Sequence, residues 1–268
     1  MFDITDKKII ITGATGVLGE AMAFHLAKEG ANVLIIGRTA SKVEKLVSEI
    51  RSRNGKADGF LADVTKEPQV EAAARQIQSR YGTVDILINL AGGNLPGAVV
   101  RPDQTIGELS VEAVKNVMDL NYQGTFIPIK HFIPLMLPNG KGNIINISSM
   151  AASRPMTRVL GYASAKAAID NLTKWMAVEL NTKYGPDFRV NAIAPGFFLT
   201  EQNRSLLTET DGSLTQRGNQ IINHTPMARF GKPEDLLGTL QWLCSDASKF
   251  VTGTIVAVDG GFSAYSGV

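Results

Sequence analysis

Along the first 90 residues, short apolar and β-branched runs alternate with stretches of helical spacing. Lys8 to Thr12 reads KIIIT without polar alternation, and residues 17 to 29 place Leu18, Met22 and Leu26 at helical intervals. Ala31 to Ile36 is strand-like again. Ser41 to Ser52 predicts an amphipathic helix through Val43, Leu46, Val47 and Ile50. Gly59 to Ala62, a helix from about Gln69 to Arg80, and Val84 to Leu90 continue the rhythm. Apolar runs that do not alternate belong to strands buried on both faces. They predict a parallel sheet wound with helices on both sides.

The second half keeps the pattern less regularly. A helix near Val111 to Asn121 runs on to about Met136, with Pro128 and Pro134 as expected kinks. Gly142 to Ser148 reads as a strand, Ala163 to Leu180 as a long helix and Phe188 to Ala194 as another strand. Lys232-Pro233-Glu234 opens a helix carrying Leu236, Leu240 and Leu243, with proline in its first turn. Thr254 to Val258 is the last of about seven strands. Residues 197 to 225 lack strong periodicity and are rich in Thr, Asn, Gln and Arg. So long a connection is expected to be a lid or a binding loop.

Composition narrows the class. A length of 268 residues fits one α/β domain, here residues 1–268 with a lid at about 197–225. With 27 Lys+Arg against 25 Asp+Glu, the charge is too balanced to suggest a nucleic-acid partner. One cysteine excludes an internal disulfide framework, and His25, His131 and His224 lack metal-ligand spacing, so no metal is expected. No run approaches the roughly 18 apolar residues that span a bilayer. Met1-Phe2-Asp3 enters a strand so soon that no signal peptide is expected either. These features predict a soluble, cytoplasmic protein without membrane contact.

The strand KIIIT runs directly into GATGVLGEAM, which places Gly13, Gly16 and Gly19 at a strand-to-helix turn. Gly13 suits the dihedrals of such a turn, and Gly16 would let a diphosphate approach backbone N–H groups at the helix N-terminus. Gly19 would let the helix pack close. This context predicts a Rossmann-type sheet binding a nicotinamide or flavin dinucleotide. The second strand ends Ile36-Gly37-Arg38-Thr39, with no acidic residue for the ribose hydroxyls. Arg38 either grips a 2′-phosphate, which would favour NADP over NAD, or is a solvated loop arginine. Asp63 either accepts from the adenine amino group or caps the next helix.

Tyr162 and Lys166 stand four residues apart in GYASAK, on one face of a helix. An ammonium beside a phenol favours the phenolate, so this spacing predicts a Tyr162 pKa below its ordinary value of ~10. Such a pair exchanges a proton with an alcohol or carbonyl oxygen. Alone, the spacing is a common accident. Ser149 precedes Tyr162 by 13 residues and ends a strand where α/β folds place ligands. Asn121 is a polar residue in an apolar helix, and its amide demands either partners or a kink with bound water.

Together these residues resemble the short-chain dehydrogenase/reductase family, over essentially the whole chain. TGATGVLG looks like its nucleotide loop and Asn89-Leu90-Ala91-Gly92 like its NNAG strand end. Asn121, Ser149, Tyr162 and Lys166 match its catalytic tetrad, and Pro195-Gly196 with Thr200 its nicotinamide-binding turn. The resemblance implies cofactor contacts at Gly13, Thr15, Gly16, Val17, Leu18 and Gly19. It extends them to Arg38, Asp63, Val64, Asn89, Ala91 and Gly92, and to Tyr162, Lys166, Pro195, Gly196, Phe198 and Thr200. It further implies hydride transfer in which Tyr162 passes the proton, Ser149 orients the oxygen and Lys166 binds the nicotinamide ribose. Asn121 would hold a water, and the assembly would be a homotetramer.

Two departures stand out. Val17 occupies the penultimate glycine position of the common loop, and Leu90 replaces the second Asn of NNAG. The resulting GxxGxxG spacing is typical of longer epimerase-type relatives. The short length and the ending Val258 to Phe262 (VDGGF) favour the short oxidoreductases.

The lid begins Phe197-Phe198-Leu199-Thr200-Glu201-Gln202-Asn203-Arg204 and continues with Thr215, Arg217, Asn219, His224 and Thr225. Its amides, hydroxyls and guanidinium groups suit a polyhydroxylated anion, although a solvated loop would have the same composition. Asn94 adds an amide, Ser149 a hydroxyl, and Arg204 or Arg217 is expected on the carboxylate. PGFFLTEQNR, HTPMARFG and VDGGFSAYSGV resemble the D-mannonate oxidoreductases of this family, also called fructuronate reductases. That subgroup implies a sugar-acid substrate, D-mannonate/D-fructuronate. Competing expectations are a gluconate 5-dehydrogenase-like enzyme, a 3-oxoacyl-thioester reductase and a non-catalytic nucleotide sensor.

Overall fold

The computed structural model describes residues 1–200 and 203–267. Glu201 and Gln202 of the lid and the terminal Val268 lie outside the described residues. Seven strands form one sheet: β1 (Lys8–Thr12), β2 (Asn32–Gly37), β3 (Lys56–Leu61), β4 (Ile86–Asn89), β5 (Gly142–Ile147), β6 (Phe188–Pro195) and β7 (Ile255–Val258). Their spatial order is β3-β2-β1-β4-β5-β6-β7, and every pairing is parallel. All carboxyl ends therefore meet one edge. The order reverses at β1, which lies between β2 and β4, and such a switch point opens the crevice where α/β sheets bind ligands.

Both faces of the sheet are covered, as the unbroken apolar runs require. Ile9 and Ile11 enter one core and Ile10 the other. The first core packs α1 (Val17–Lys28), α2 (Ala40–Ser52) and α9 (Leu237–Cys244) through Met22, Leu26, Val43, Leu46, Leu240 and Leu243. The second packs α3 (Glu67–Tyr81), α5 (Gly124–Met136) and α6 (Leu160–Tyr184) through Val70, Ile77, Phe132, Met136, Leu172 and Met176. At about 25 cal/mol per Å², burying a side chain of this size from water contributes roughly 1.5–3 kcal/mol before entropy is charged against it.

Several boundaries differ from the sequence pattern. β3 begins at Lys56 instead of Gly59 because it is an edge strand whose polar Asp58 faces Arg51 and Arg80. The signal near Val111 to Met136 resolves into α4 (Val111–Met118), a π-helical turn Asp119–Gln123, and α5. Pro128 and Pro134 lie inside α5, so the helical irregularity falls upstream of them, around Asn121. The lid is not wholly irregular. It carries α7 (Arg204–Leu207) and α8 (Gln216–Asn223), joined by a bridge between Thr208 and Leu214. Among the described residues, no helix is long and apolar enough to cross a membrane.

Candidate active site

The glycine turn follows β1 and leads into α1. Gly13 adopts φ +72°, and a Cβ there would lie 2.6 Å from the Ala91 backbone nitrogen, so both conformation and space require glycine. Gly16 differs. Its φ is an ordinary −94°, and a Cβ would meet no atom of the protein nearer than 3.7 Å. The packing does not demand glycine at this helix N-cap, but a ligand approaching the uncapped N–H groups would need the space. Thr15 lies in the turn, and Val17, Leu18 and Gly19 form the first helical positions. These residues fit a dinucleotide diphosphate.

At the next strand ends, Arg38 is exposed beyond β2. Asp63 does not cap α3, whose N-cap is Lys66. Its carboxylate accepts from the Thr65 amide and hydroxyl at 2.9 and 2.7 Å. Burial opposes ionisation there, but the Thr65 bonds, with Arg38, hold the carboxyl below its ordinary pKa. Val64 is buried and packs under Gly124. Asn89 is also buried, with its amide turned across the sheet to Asn146 Oδ1 at 2.9 Å. Ala91 contacts the turn through its backbone, its N–H donating to Thr12 Oγ1 at 3.2 Å.

Asn121 is fully buried in the π turn. Its Nδ2 donates to the Gly93 and Val117 carbonyls at 2.7 and 2.8 Å, and its Oδ1 accepts from the Gly93 N–H at 3.0 Å. Of the two options open from sequence, the amide has protein partners. Gly92 permits this, since a Cβ would come within 2.6 Å of Asn121 Oδ1 and 3.3 Å of Lys166 Nζ.

Ser149 leaves β5 and Tyr162 enters α6, and the two side chains are hydrogen-bonded. Lys166 is 4% exposed and donates from Nζ to the Ile147 carbonyl at 2.7 Å. Its Nζ lies 5.6 Å from the Tyr162 ring centroid. Burial drives Lys166 down to about 8, with Asp170 opposing the fall. The expected depression of Tyr162 is corrected here. Burial raises the phenol, and the Ser149 bond offsets only part of that rise.

Asp170 stands outside the sequence motifs. It continues the helical spacing of Tyr162 and Lys166 by one more turn, and the Ser148 hydroxyl donates to it. The i, i+4, i+8 pattern was the available signal.

A cavity of about 420 Å³ joins Ser149, Tyr162 and Lys166 at the strand edge, while Asn121 and Asp170 lie outside its lining. Leu18, Gly92, Asn94, Ser149, Tyr162, Lys166, Pro195, Gly196, Phe198, Thr200 and Arg217 all line it. Arg204 is exposed on α7 and does not line it. Arg158, which carries no sequence signal of its own, does.

The polar lid needs a correction. Thr215 caps α8, Asn219 bonds the Leu214 and Thr215 carbonyls, and Thr225 bonds the Ile221 carbonyl. His224 packs on Phe262 and Tyr265. Most of the lid's polarity is thus spent on its own short helices. Leu95, Val99, Met156, Val159, Phe197 and Leu206 make much of the cavity wall apolar.

Residues 7–211 match the family model for the short-chain dehydrogenases. The protein belongs to the short-chain dehydrogenase/reductase family. It is an oxidoreductase acting on CH–OH groups with NAD(P), and the glycine turn fits that cofactor. It is 46% identical to the uncharacterized oxidoreductase UxuB of Bacillus subtilis, over 99% of this chain and 98% of that one. A crystal structure from Haemophilus influenza, provisionally assigned as a D-mannonate oxidoreductase and holding NAD, superposes with a TM-score of 0.92. It is 42% identical, with 99% and 98% of the two chains covered. A gluconate 5-dehydrogenase of Burkholderia cenocepacia, in complex with NADP and tartrate, superposes with a TM-score of 0.86 at 31% identity, with 98% and 97% covered.

Proposed function

We propose that this short-chain dehydrogenase/reductase interconverts a secondary alcohol and ketone of a sugar acid, D-mannonate and D-fructuronate. The observation that carries the reading is one cavity holding Ser149, Tyr162 and Lys166 together with Arg217, a cation suited to a carboxylate. The likeness to the Haemophilus influenza protein supports the choice of acid.

Bound NAD(P) supplies or takes up the hydride. The protein's own residues manage the oxygen. Tyr162 gives its phenolic proton to the carbonyl oxygen during reduction and recovers one from the hydroxyl during oxidation. Ser149 donates a hydrogen bond to that oxygen. Lys166, fixed by the Ile147 carbonyl, carries the positive charge that stabilises the phenolate and holds the nicotinamide ribose. Asn121 positions the Gly92–Gly93 turn, which lies against Lys166. Arg217, rather than the exposed Arg204, holds the carboxylate. Arg38 favours NADP(H). The protein works in the cytoplasm as a homotetramer, and the exposed Trp175 and Val178 of α6 are available for its interfaces.

Absorbance assays with D-mannonate, D-fructuronate and D-gluconate and both cofactors test the reading. Tyr162→Phe should lower kcat by roughly 10²–10⁴-fold while leaving cofactor binding intact. Retained turnover would remove Tyr162 from the proton path. The apolar part of the wall favours a second reading, a 3-oxoacyl-thioester reductase. Turnover of an acetoacetyl thioester in preference to every sugar acid would select it.

A further inference from the structure

Two arginines line the cavity beside Ser149 and Tyr162, from segments far apart in the sequence. Arg217 stands in the first turn of α8, and Arg158 lies in the connection between β5 and α6. Arg217 makes one long contact, from Nη1 to Thr157 Oγ1 at 3.3 Å, while its Nε is buried and makes no hydrogen bond. A buried guanidinium N–H without an acceptor is costly unless a ligand answers it.

Arg158 adopts φ +76°, a left-handed conformation that a non-glycine residue rarely takes. Its carbonyl accepts from the Val100 N–H at 3.0 Å, which ties the β5–α6 connection to the segment after β4. Strained backbone of this kind persists where surrounding structure enforces it, often at ligand sites. The two guanidinium groups are near enough that Arg158, second to burial, lowers the pKa of Arg217. No carboxylate stands among the described lining residues. Like charges held together in a partly apolar cavity call for an anion, and the planar fork of arginine matches a carboxylate.

We infer that Arg158 and Arg217 form a two-arginine anion subsite that takes the substrate carboxylate, with Arg158 as a specificity-determining residue. The inference deepens the sugar-acid reading and rests on it for the identity of the substrate. The ligand class, an organic carboxylate, comes from the arginine pair itself. The arrangement gives the substrate polarity in space: carboxylate toward the arginines, reacting carbon toward Tyr162.

The test uses the NAD(P)-loaded enzyme with Arg158→Gln, Arg217→Gln and the corresponding Lys variants. Each Gln variant should raise KM for D-mannonate by about 10–100-fold, with a smaller change in kcat. The preference for D-mannonate over D-mannitol, which has an alcohol in place of the carboxylate, should fall by the same factor. Lys at either position should recover part of both losses. Independently of turnover, L-tartrate should raise the thermal midpoint of the wild-type protein but not of either Gln variant.

Wild-type KM and a wild-type tartrate shift in both variants would overturn the subsite, and an effect in only one would overturn the pairing. A tartrate shift that both variants lose, in an enzyme that turns over no sugar acid, would sustain the subsite while refuting the sugar-acid reading.

Discussion

Around the β1–α1 turn, the groups that would meet a ligand are backbone N–H groups placed by residues adjacent in sequence. At the β5–α8 end of the same edge they are side chains, Ser149, Arg158, Tyr162 and Arg217, drawn from separate segments. The two regions should therefore fail in opposite ways. The turn is damaged by adding atoms, since Gly13 already lies against the Ala91 backbone. The side-chain end is damaged by removing them, since its charges are held at a desolvation cost and are not replaced by the backbone.

Gly13→Ala should have the largest effect on the first region. The methyl group meets backbone at 2.6 Å in a left-handed conformation. Strain and overpacking together should destabilise the fold by about 2–5 kcal/mol and weaken cofactor binding. Urea unfolding and cofactor fluorescence titration would check both. Gly16→Ala, where the protein itself leaves room, should cost binding without a comparable loss of stability. Equal stability losses at Gly13 and Gly16 would break the contrast.

Lys166→Met comes next and should act with the opposite sign on stability. Folding lowers the Lys166 pKa from 10.5 to about 8. Below pH 8 the folded and unfolded states both carry the proton, so the full cost of burying the charge is present. Between about 8 and 10.5 the unfolded state binds more protons, and stability rises with pH. The variant should therefore exceed the wild type at pH 7 by about 3 kcal/mol, less about 1 kcal/mol for the lost bond to Ile147. That advantage should shrink as pH rises through about 8, while activity is lost throughout. Paired urea unfolding at neutral and alkaline pH measures it, and a pH-independent difference would refute the assignment.

The smallest effect is expected at Arg38, exposed beyond β2. Arg38→Ala should raise KM for NADPH about tenfold and leave that for NADH nearly unchanged. Equal effects on both cofactors would make Arg38 a surface residue.

Much of the fold was legible because its causes are local. Unbroken apolar runs marked strands with cores on both faces, and the glycines after KIIIT marked the turn. Tyr162 and Lys166 were legible because four residues of helix bring them to one side. The apolar pattern marks β3 too short because an edge strand tolerates the polar Lys56 and Asp58 that a central strand excludes. The π turn at Asn121 had no signature beyond a polar residue in an apolar run. Its partner, Gly93, is 28 residues away.

The sequence by itself determined the parallel sheet, the nucleotide turn and the candidates for proton transfer, all through nearest-neighbour spacing and backbone preference. Tertiary structure decided which polar residues are free to act. It spent Thr215, Asn219 and Thr225 on the lid's own helices, turned Asn89 into the sheet and left Arg204 outside the cavity. It also reversed the expected shift of Tyr162 and brought Arg158 beside Arg217. Local capping governs the lid residues, whereas desolvation and long-range proximity govern Asn89, Tyr162 and the arginine pair, and neither quantity is defined until the polypeptide has packed.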